Sequence, residues 1–313
     1  ASAEDGLEHW WFQLEGENAR AEDAWRPQDI EELRGIEVLP GNYSFRVAAQ
    51  QSPGQAMKSE IQVSLQDASA TMTEPPLNLS EIQLHASGGL REGVRTEIRA
   101  LVDEDFRVLA QGRMQWPDEG GAWLSLRGDS TAVTVDQDRL DWVRLLHPIT
   151  AEILEALEVR GGPEARFALD WREGEAIGWA VHADTTGMRM RYRGIVTSTG
   201  EKPAFPYPVR ATTGDFVAAG SWLLMDVEGA AGVGTVQGRG VVEVRSEDSS
   251  VYLDIAGRGI AIDREIRAAA AGTPQIAELW RQLGIPQGGT GDVDLRIRGD
   301  QARKHTGITI GGT

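Results

Sequence analysis

Residues 251–299 read VYLDIAGRGIAIDREIRAAAAGTPQIAELWRQLGIPQGGTGDVDLRIRG, and the order of patterns within them decides the fold. Apolar and polar residues alternate up to Gly257, as in a half-buried β-strand, and a second alternating piece covers Ile260 to Ile262. An amphipathic helix is predicted near 273–283. A glycine-rich turn then opens another alternating strand at 293–297. The stretch therefore predicts strands that alternate with a short helix.

The same order of patterns occurs twice earlier in the chain. In each copy a glycine ends the first strand, a proline lies near the start of the helix, and another alternating strand follows. The strand-ending glycines are Gly16, Gly128 and Gly257, which are 112 and 129 residues apart. Self-similarity at a nearly constant spacing is typical of stacked units that share a continuous core. We therefore predict a protein built from repeats, each with several strands and one helix.

The repeats divide the chain into three predicted units: residues 1–137, residues 138–262 and the start of a third unit at 263–313. Their helices are predicted near 27–34, 148–158 and 273–283. The fold class that follows is mainly β: an elongated twisted antiparallel sheet or open β-groove built from repeated units, with about three short helices. The chain begins without Met and ends within a strand pattern, which predicts a piece of a longer protein.

Composition excludes several classes of function. The net charge of -17 argues against a nucleic-acid partner, because binding to phosphates requires a basic face. The chain has no cysteine, so disulfides, thiolate metal sites and a cysteine nucleophile are excluded. No apolar run approaches the roughly 18 residues that a membrane-spanning helix needs. A hydrophobic content of 41% is nevertheless that of a globular protein.

The residue patterns indicate no catalytic centre, metal site or cofactor. The five histidines are scattered and lack the spacing of a zinc site, and the G-x-S-x-G pattern of a hydrolase is absent. Residues 232–238 resemble a glycine-rich phosphate loop, but no helix pattern follows them, so strand glycines are the better interpretation. Asp292 and Asp294 are acidic enough for calcium, but period-2 acids on a strand usually form a solvated face. We therefore expect a protein that is not an enzyme.

Apolar stripes on the predicted strands remain as the candidate site. Residues two apart in a strand share a face. The stripe residues are Leu124, Leu126, Val133, Val135, Leu253, Ile255, Ile260, Ile262, Val293, Leu295 and Ile297. They would line a lipid-binding trough if the sheet curled without closing, or they would be ordinary core beneath helices or a second sheet. The predicted helices are too few to cover all the strands, which favours a trough.

The pattern L-x-I-x-G-x-x-I-x-I-D, a helix and then G-x-V-D-L-x-I-x-G, in residues 253–299, resembles the AsmA-like or TamB-like envelope proteins. Trp222-Leu223-Leu224 and Gly238-Arg239-Gly240-Val241-Val242 add to the resemblance, which is clearest over 120–300. It implies a twisted β-sheet that forms an apolar groove and carries phospholipid between the two membranes of a diderm bacterium. It further implies a periplasmic place, a role in outer membrane biogenesis, and membrane proteins of the envelope as partners.

The sequence thus leads to two hypotheses of different classes. The first is a non-enzymatic segment of an AsmA-like envelope protein that binds or conducts phospholipid or another lipid. The second is a structural or adhesive β-sandwich scaffold module of a large extracytoplasmic protein. An apolar face open to lipid favours the first, whereas a fully closed interior favours the second.

Overall fold

The computed structural model of the protein describes residues 10–20, 36–39, 41–52, 58–73, 76–89, 92–115, 121–146, 148–193, 205–243, 250–271, 274–284, 288–300 and 305–312. The chain divides into two compact units, each considered by itself below. Unit 1 comprises residues 1–131 and 166–179, and unit 2 comprises residues 132–165 and 180–313. The three repeat units expected from the sequence stay a prediction.

Unit 1 is an antiparallel sheet. Its strands are β1 (Trp10–Arg20), β2 (Ile36–Leu39), β3 (Asn42–Gln51), β4 (Lys58–Thr73), β5 (Pro76–Gly89), β6 (Gly93–Val102), β7 (Phe106–Gln115), β8 (Trp123–Ser130) and β9, which begins at the boundary with unit 2 (Glu164–Arg172). From β3 to β8 each strand pairs with the next, while β1 pairs with β3 and β2 with the end of β4. The strand β9 runs beside β8, with the Arg166 Nε atom 3.6 Å from the Asp129 Oδ1 atom.

Unit 2 combines a second antiparallel series with helices. Its elements are α1 (Gln137–Leu146), α2 (Pro148–Ala156), β10, which begins at the boundary with unit 1 (Gly178–Asp184), β11 (Arg189–Tyr192), β12 (Phe205–Ala219), β13 (Trp222–Ala231), β14 (Gly234–Glu243), β15 (Ser250–Ala261), α3 (Arg264–Ala271), α4 (Pro274–Leu283), β16 (Thr290–Asp300) and β17 (His305–Gly312). Both β10 and β11 pair with β12, and from β12 to β17 each strand pairs with the next.

The prediction of a mainly β protein with antiparallel strands and a few short helices is confirmed. The helices expected near 148–158 and 273–283 are present as α2 and α4. The helix expected near 27–34 lies outside the described residues.

The sequence analysis missed the helices α1 and α3, although each carries a start signal. The Asp136 Oδ1 atom accepts a hydrogen bond from the Arg139 N–H at 3.0 Å, and the Asp263 Oδ1 atom accepts one from the Ile266 N–H at 2.9 Å. An aspartate that accepts from the third residue of the following helix is an N-cap. These two aspartates were therefore the signal that could have identified both helices.

The break predicted in the chain between Gly257 and Ile260 is wrong. The strand β15 continues through it, and the register with β16 shifts there by a bulge. Gly259 supplies the backbone for the bulge, with a φ of 60°. A bulge re-aims the side chains that follow it, because the strand bends at the extra residue. Ile260 is placed in this way within the interior of unit 2, with an exposed fraction of 5%.

Thr185, in the turn after β10, is fully buried, with an exposed fraction of 0%. Its N–H donates to the Gly214 carbonyl at 2.8 Å, but its hydroxyl has no hydrogen-bond partner among the described residues. A buried hydroxyl without a partner costs about 1–3 kcal/mol. We therefore expect Thr185→Val to raise the free energy of unfolding by about 1 kcal/mol, since a methyl group replaces the hydroxyl at similar size. The midpoint of urea unfolding measures this change.

Thr185→Ser is the matched control, because it keeps the hydroxyl and removes the methyl group. It is expected to lower the free energy of unfolding by about 1 kcal/mol through lost packing. A loss of stability in Thr185→Val comparable to that of the serine variant would contradict the expectation and point to a water molecule bonded to the hydroxyl.

Candidate functional site

One face of the unit 1 sheet is apolar. Directly opposed residues of neighbouring strands share a face of the sheet. Leu65, Leu84, Ile98 and Ala110 form one such row across β4 to β7. The apolar face of unit 1, as we call it from here on, comprises Phe12, Leu14, Tyr43, Phe45, Val47, Ile61, Val63, Leu65, Leu84, Ala86, Val94, Ile98, Val108, Ala110, Met114, Leu124 and Leu126.

The large side chains of this face keep part of their exposure to solvent. Phe12 and Leu14 on β1 are 48% and 58% exposed, and the other Leu, Ile, Phe, Tyr and Met side chains of the face are half-buried. The apolar side chains that are buried in the described part of unit 1 are all small: Ala49, Ala68, Ala70, Val94, Val102 and Ala110. The described residues of unit 1 contain no helix and no second sheet, so within this unit the face has no covering layer.

The opposite face of the same sheet is polar. Arg46 and Glu15 form an ion pair there at 3.3 Å, and Arg99 and Glu97 form another at 2.6 Å. These side chains are largely exposed, so each pair contributes little to stability. These charged side chains suit the polar face to contact with water. The apolar face is therefore the side of the sheet that gains from a hydrophobic partner.

The sheet of unit 2 also carries an apolar face. Leu223 lies opposite Val242, Gly240 opposite Leu253, and Leu253 opposite Ile297. Leu223 and Val242 are buried and Leu253 is half-buried.

The helices α3 and α4 close over one end of that face. Tyr207, Ile260, Ile266 and two alanines form a buried cluster there, and Trp280 of α4 packs against it. Burial, followed by the charges of Asp263 and Glu265, raises the pKa of Tyr207 above its usual value. Burial disfavours the charged phenolate, as expected in a closed interior. This end of the face is an ordinary core.

The eleven stripe residues have different environments. Leu124 and Leu126 lie half-buried on the apolar face of unit 1. Val133 and Val135 lie between β8 and α1, outside the strands, and their N–H groups donate to the carbonyls of Pro163 and Gly161 at 2.9 and 3.3 Å.

The other stripe residues belong to unit 2. The register of β15 and β16 pairs Leu253 with Ile297 and Ile255 with Leu295, and Leu253 and Ile255 are half-buried. Val293 is 41% exposed. Ile260 belongs to the closed cluster, and Ile262 follows β15 with its N–H bonded to the Gly289 carbonyl at 3.0 Å.

The stripe residues predicted from the sequence do not include most of the residues that form the apolar face of unit 1. Its centre consists of Phe45, Val63, Leu84 and Ile98, whose strands alternate as clearly as those of the chosen stripes. The period-2 signal was therefore present in the sequence, and only the register between strands could show that these residues form one surface.

The structure offers little for metal or acid–base chemistry. Within the ranges that the structure describes, no group of three His, Asp or Glu side chains is placed to hold a metal ion. His182 and Asp215 form a single pair, 2.5 Å apart, on exposed positions of β10 and β12. No helix in the described part of the chain has the length and apolar character to cross a membrane.

Comparisons with protein-family models, with curated proteins and with solved structures found no match to this chain.

Proposed function

We propose that this chain binds lipid, without catalysing a reaction, along an apolar sheet face, as a segment of an AsmA-like envelope protein. One observation carries the proposal: the apolar face of unit 1 has large, partly exposed side chains and no covering layer among the described residues of its unit. Soluble proteins seldom leave so broad an apolar surface exposed unless it has a partner.

An acyl chain is a partner that fits this surface. Burying methylene groups contributes about 0.8 kcal/mol each, so a half-buried chain of sixteen carbons would gain on the order of 6 kcal/mol. Neighbouring strands are spaced at about 4.8 Å, so the paired strands of unit 1 provide a surface wider than an extended acyl chain is thick. No residue-specific recognition is needed along the chain, which agrees with a face made mainly of apolar side chains.

The cellular setting of the proposal rests on the resemblance to AsmA-like and TamB-like proteins. It places the chain in the periplasm or cell envelope, as part of a longer, membrane-anchored protein that conducts phospholipid during outer membrane biogenesis. Membrane proteins of the envelope would be its partners.

One observation supports the second hypothesis, a structural or adhesive scaffold module. In unit 2 the helices α3 and α4 close over one end of the sheet and form a buried cluster around Ile260. If all apolar surfaces were closed in this manner in solution, the chain would need no lipid.

Extraction of the purified protein and mass spectrometry of the extract test the proposal. We expect phospholipid at one or more molecules per chain after purification without detergent. A folded, monodisperse protein that carries no lipid and takes up none from phospholipid vesicles would reject lipid binding and favour the scaffold.

A further inference from the structure

Three arginines lie together on the polar face of unit 1, where β5 and β6 form a hairpin. Arg95 of β6 lies directly opposite Arg113 of β7. Arg127 of β8 lies opposite Gln111, which precedes Arg113 by two positions on β7. Like charges at opposed positions destabilise a sheet. Among the described residues, no ion pair joins any of these three side chains to a carboxylate. Other arginines of the same face, such as Arg99 with Glu97, are paired.

The hairpin forms an open recess beside these arginines. Its volume is about 380 Å³, and it is lined by Ser87, Gly88, Glu92, Gly93, Arg95 and Arg113. With two arginines and one glutamate, the recess has a positive local charge, whereas the net charge of the chain is -17. The recess is therefore a local attraction for an anion on a protein that otherwise repels anions.

The backbone holds Arg113 in place at this recess. Its guanidinium Nη2 atom donates to the Glu92 carbonyl. Gly93 has a φ of 91°, and a Cβ atom added to it would lie 2.6 Å from the Arg113 Nε atom. The guanidinium thus lies directly against the glycine backbone, which limits its rotation and leaves its remaining N–H groups available.

The recess adjoins the apolar face across the end of the sheet. The neighbouring row of directly opposed residues, one position farther along each strand, lies on the apolar side. It consists of Gly88, Val94, Met114 and Leu124. Among the described residues of the hairpin, Gly88, Gly89 and Gly93 carry no side chain. The arginines and the apolar face are therefore separated at this end by little more than the thickness of the backbone.

We propose that Arg95 and Arg113 bind the phosphate of a phospholipid whose acyl chains lie on the apolar face beside Val94 and Met114; this inference rests on the proposed function. A guanidinium group presents its N–H donors in a fork that matches two phosphate oxygens. The opposed arginines then gain a second negative charge beside that of Glu92, with which neither forms an ion pair. The amphipathic lipid would bridge the two sides of the sheet at its glycine-lined end.

Three short soluble ligands test this assignment on the whole chain. They are dihexanoyl phosphatidylglycerol, dihexanoylglycerol with the same chains and no phosphate, and glycerol 3-phosphate with the phosphate and no chains. Their dissociation constants are measured by calorimetry for the wild type, for Arg95→Gln/Arg113→Gln, and for Arg107→Gln/Arg166→Gln. The last variant is the matched control, since it removes two charges from the same unit, outside the recess.

We expect the recess variant to bind phosphatidylglycerol about tenfold more weakly than the wild type, because charge-assisted hydrogen bonds at an exposed site are lost. Its affinity for dihexanoylglycerol stays unchanged, and the control variant binds both lipids like the wild type. An equal loss in the control would overturn the inference in favour of a general charge effect. Unchanged binding of phosphatidylglycerol by the recess variant would also overturn the inference, but it would not contradict lipid binding by the protein.

Two further outcomes separate this inference from the proposed function. A wild type that binds neither lipid contradicts both. Binding of glycerol 3-phosphate alone, weakened in the recess variant, would identify a site for free phosphate compounds and overturn the lipid as the source of the phosphate.

Discussion

Replacing Leu84 and Ile98 together by aspartate is expected to remove bound lipid from the protein while its sheet stays folded. The two residues are directly opposed at the centre of the apolar face of unit 1, and both are half-buried. In the lipid-free protein, partial exposure lets the new carboxylates keep water, so the stability cost is about 1–3 kcal/mol.

An acyl chain lying over the two carboxylates would take that water away. The effective penalty for desolvating a charged group in a protein is several kcal/mol, and every 1.4 kcal/mol is a factor of ten in affinity. We therefore expect lipid affinity to fall by about a hundredfold or more. Mass spectrometry of the extracted lipid measures the loss, with circular dichroism as the check on folding.

The matched control is Ser64→Asp with His85→Asp. These residues are also directly opposed, on neighbouring strands β4 and β5, but they lie on the polar face. The control adds the same number of carboxylates and should retain its lipid. Equal lipid content in the two variants would contradict the placement of lipid on the apolar face.

Ile260→Asp is expected to have the largest effect on stability. Ile260 is 5% exposed and packs in the closed cluster with Tyr207, Ile266 and the helix α3. A carboxylate there is largely shielded from water, so the variant loses both the packing of the isoleucine and the solvation of the charge. We expect the free energy of unfolding to fall by about 4 kcal/mol or more.

Hydrogen exchange resolved by peptide locates this loss. Amides of α3 and of the start of β12 should exchange much faster in Ile260→Asp than in the wild type. Val233→Asp is the control: Val233 lies in the β13–β14 turn and is 81% exposed, so its replacement should change stability by less than about 0.5 kcal/mol. Wild-type protection of α3 in Ile260→Asp would refute the closed cluster.

The two experiments distinguish two roles for apolar strand residues that look alike in the sequence. Leu84 and Ile260 both stand in alternating segments. The first lies on a face without a covering layer in its unit, and the second lies under a helix. Loss of lipid without unfolding in the Leu84 variant would assign that residue to the lipid-binding face. Unfolding in the Ile260 variant would assign Ile260 to the core.

Strand periodicity and helix-start residues determined the class of the protein from the sequence alone. Alternation predicted the strands β15 and β16, and Pro148 and Pro274 open the helices α2 and α4 where they were expected. These signals are local: they depend on how a residue and its near neighbours along the chain fit one backbone geometry. For the same reason, Asp136 and Asp263 could have revealed α1 and α3.

Local signals failed where other strands decide the outcome. Val133 and Val135 alternate like a strand but lie outside the strands. For Ile260 the alternation leaves an open face and a core equally possible, and only the helix packed over it shows that it is core.

The sequence by itself determined that this protein is made of strands with apolar and polar sides, because a period of two is a property of the single strand. Which stripes join into one surface, and which of them a helix covers, only the tertiary structure decided. Register and packing depend on residues far apart in the chain, such as Leu65 with Leu84 and Ile98, or Tyr207 with Ile260. For this reason the candidate site at Leu84 and Ile98, and the arginines beyond its glycine-lined end, emerged only from the structure.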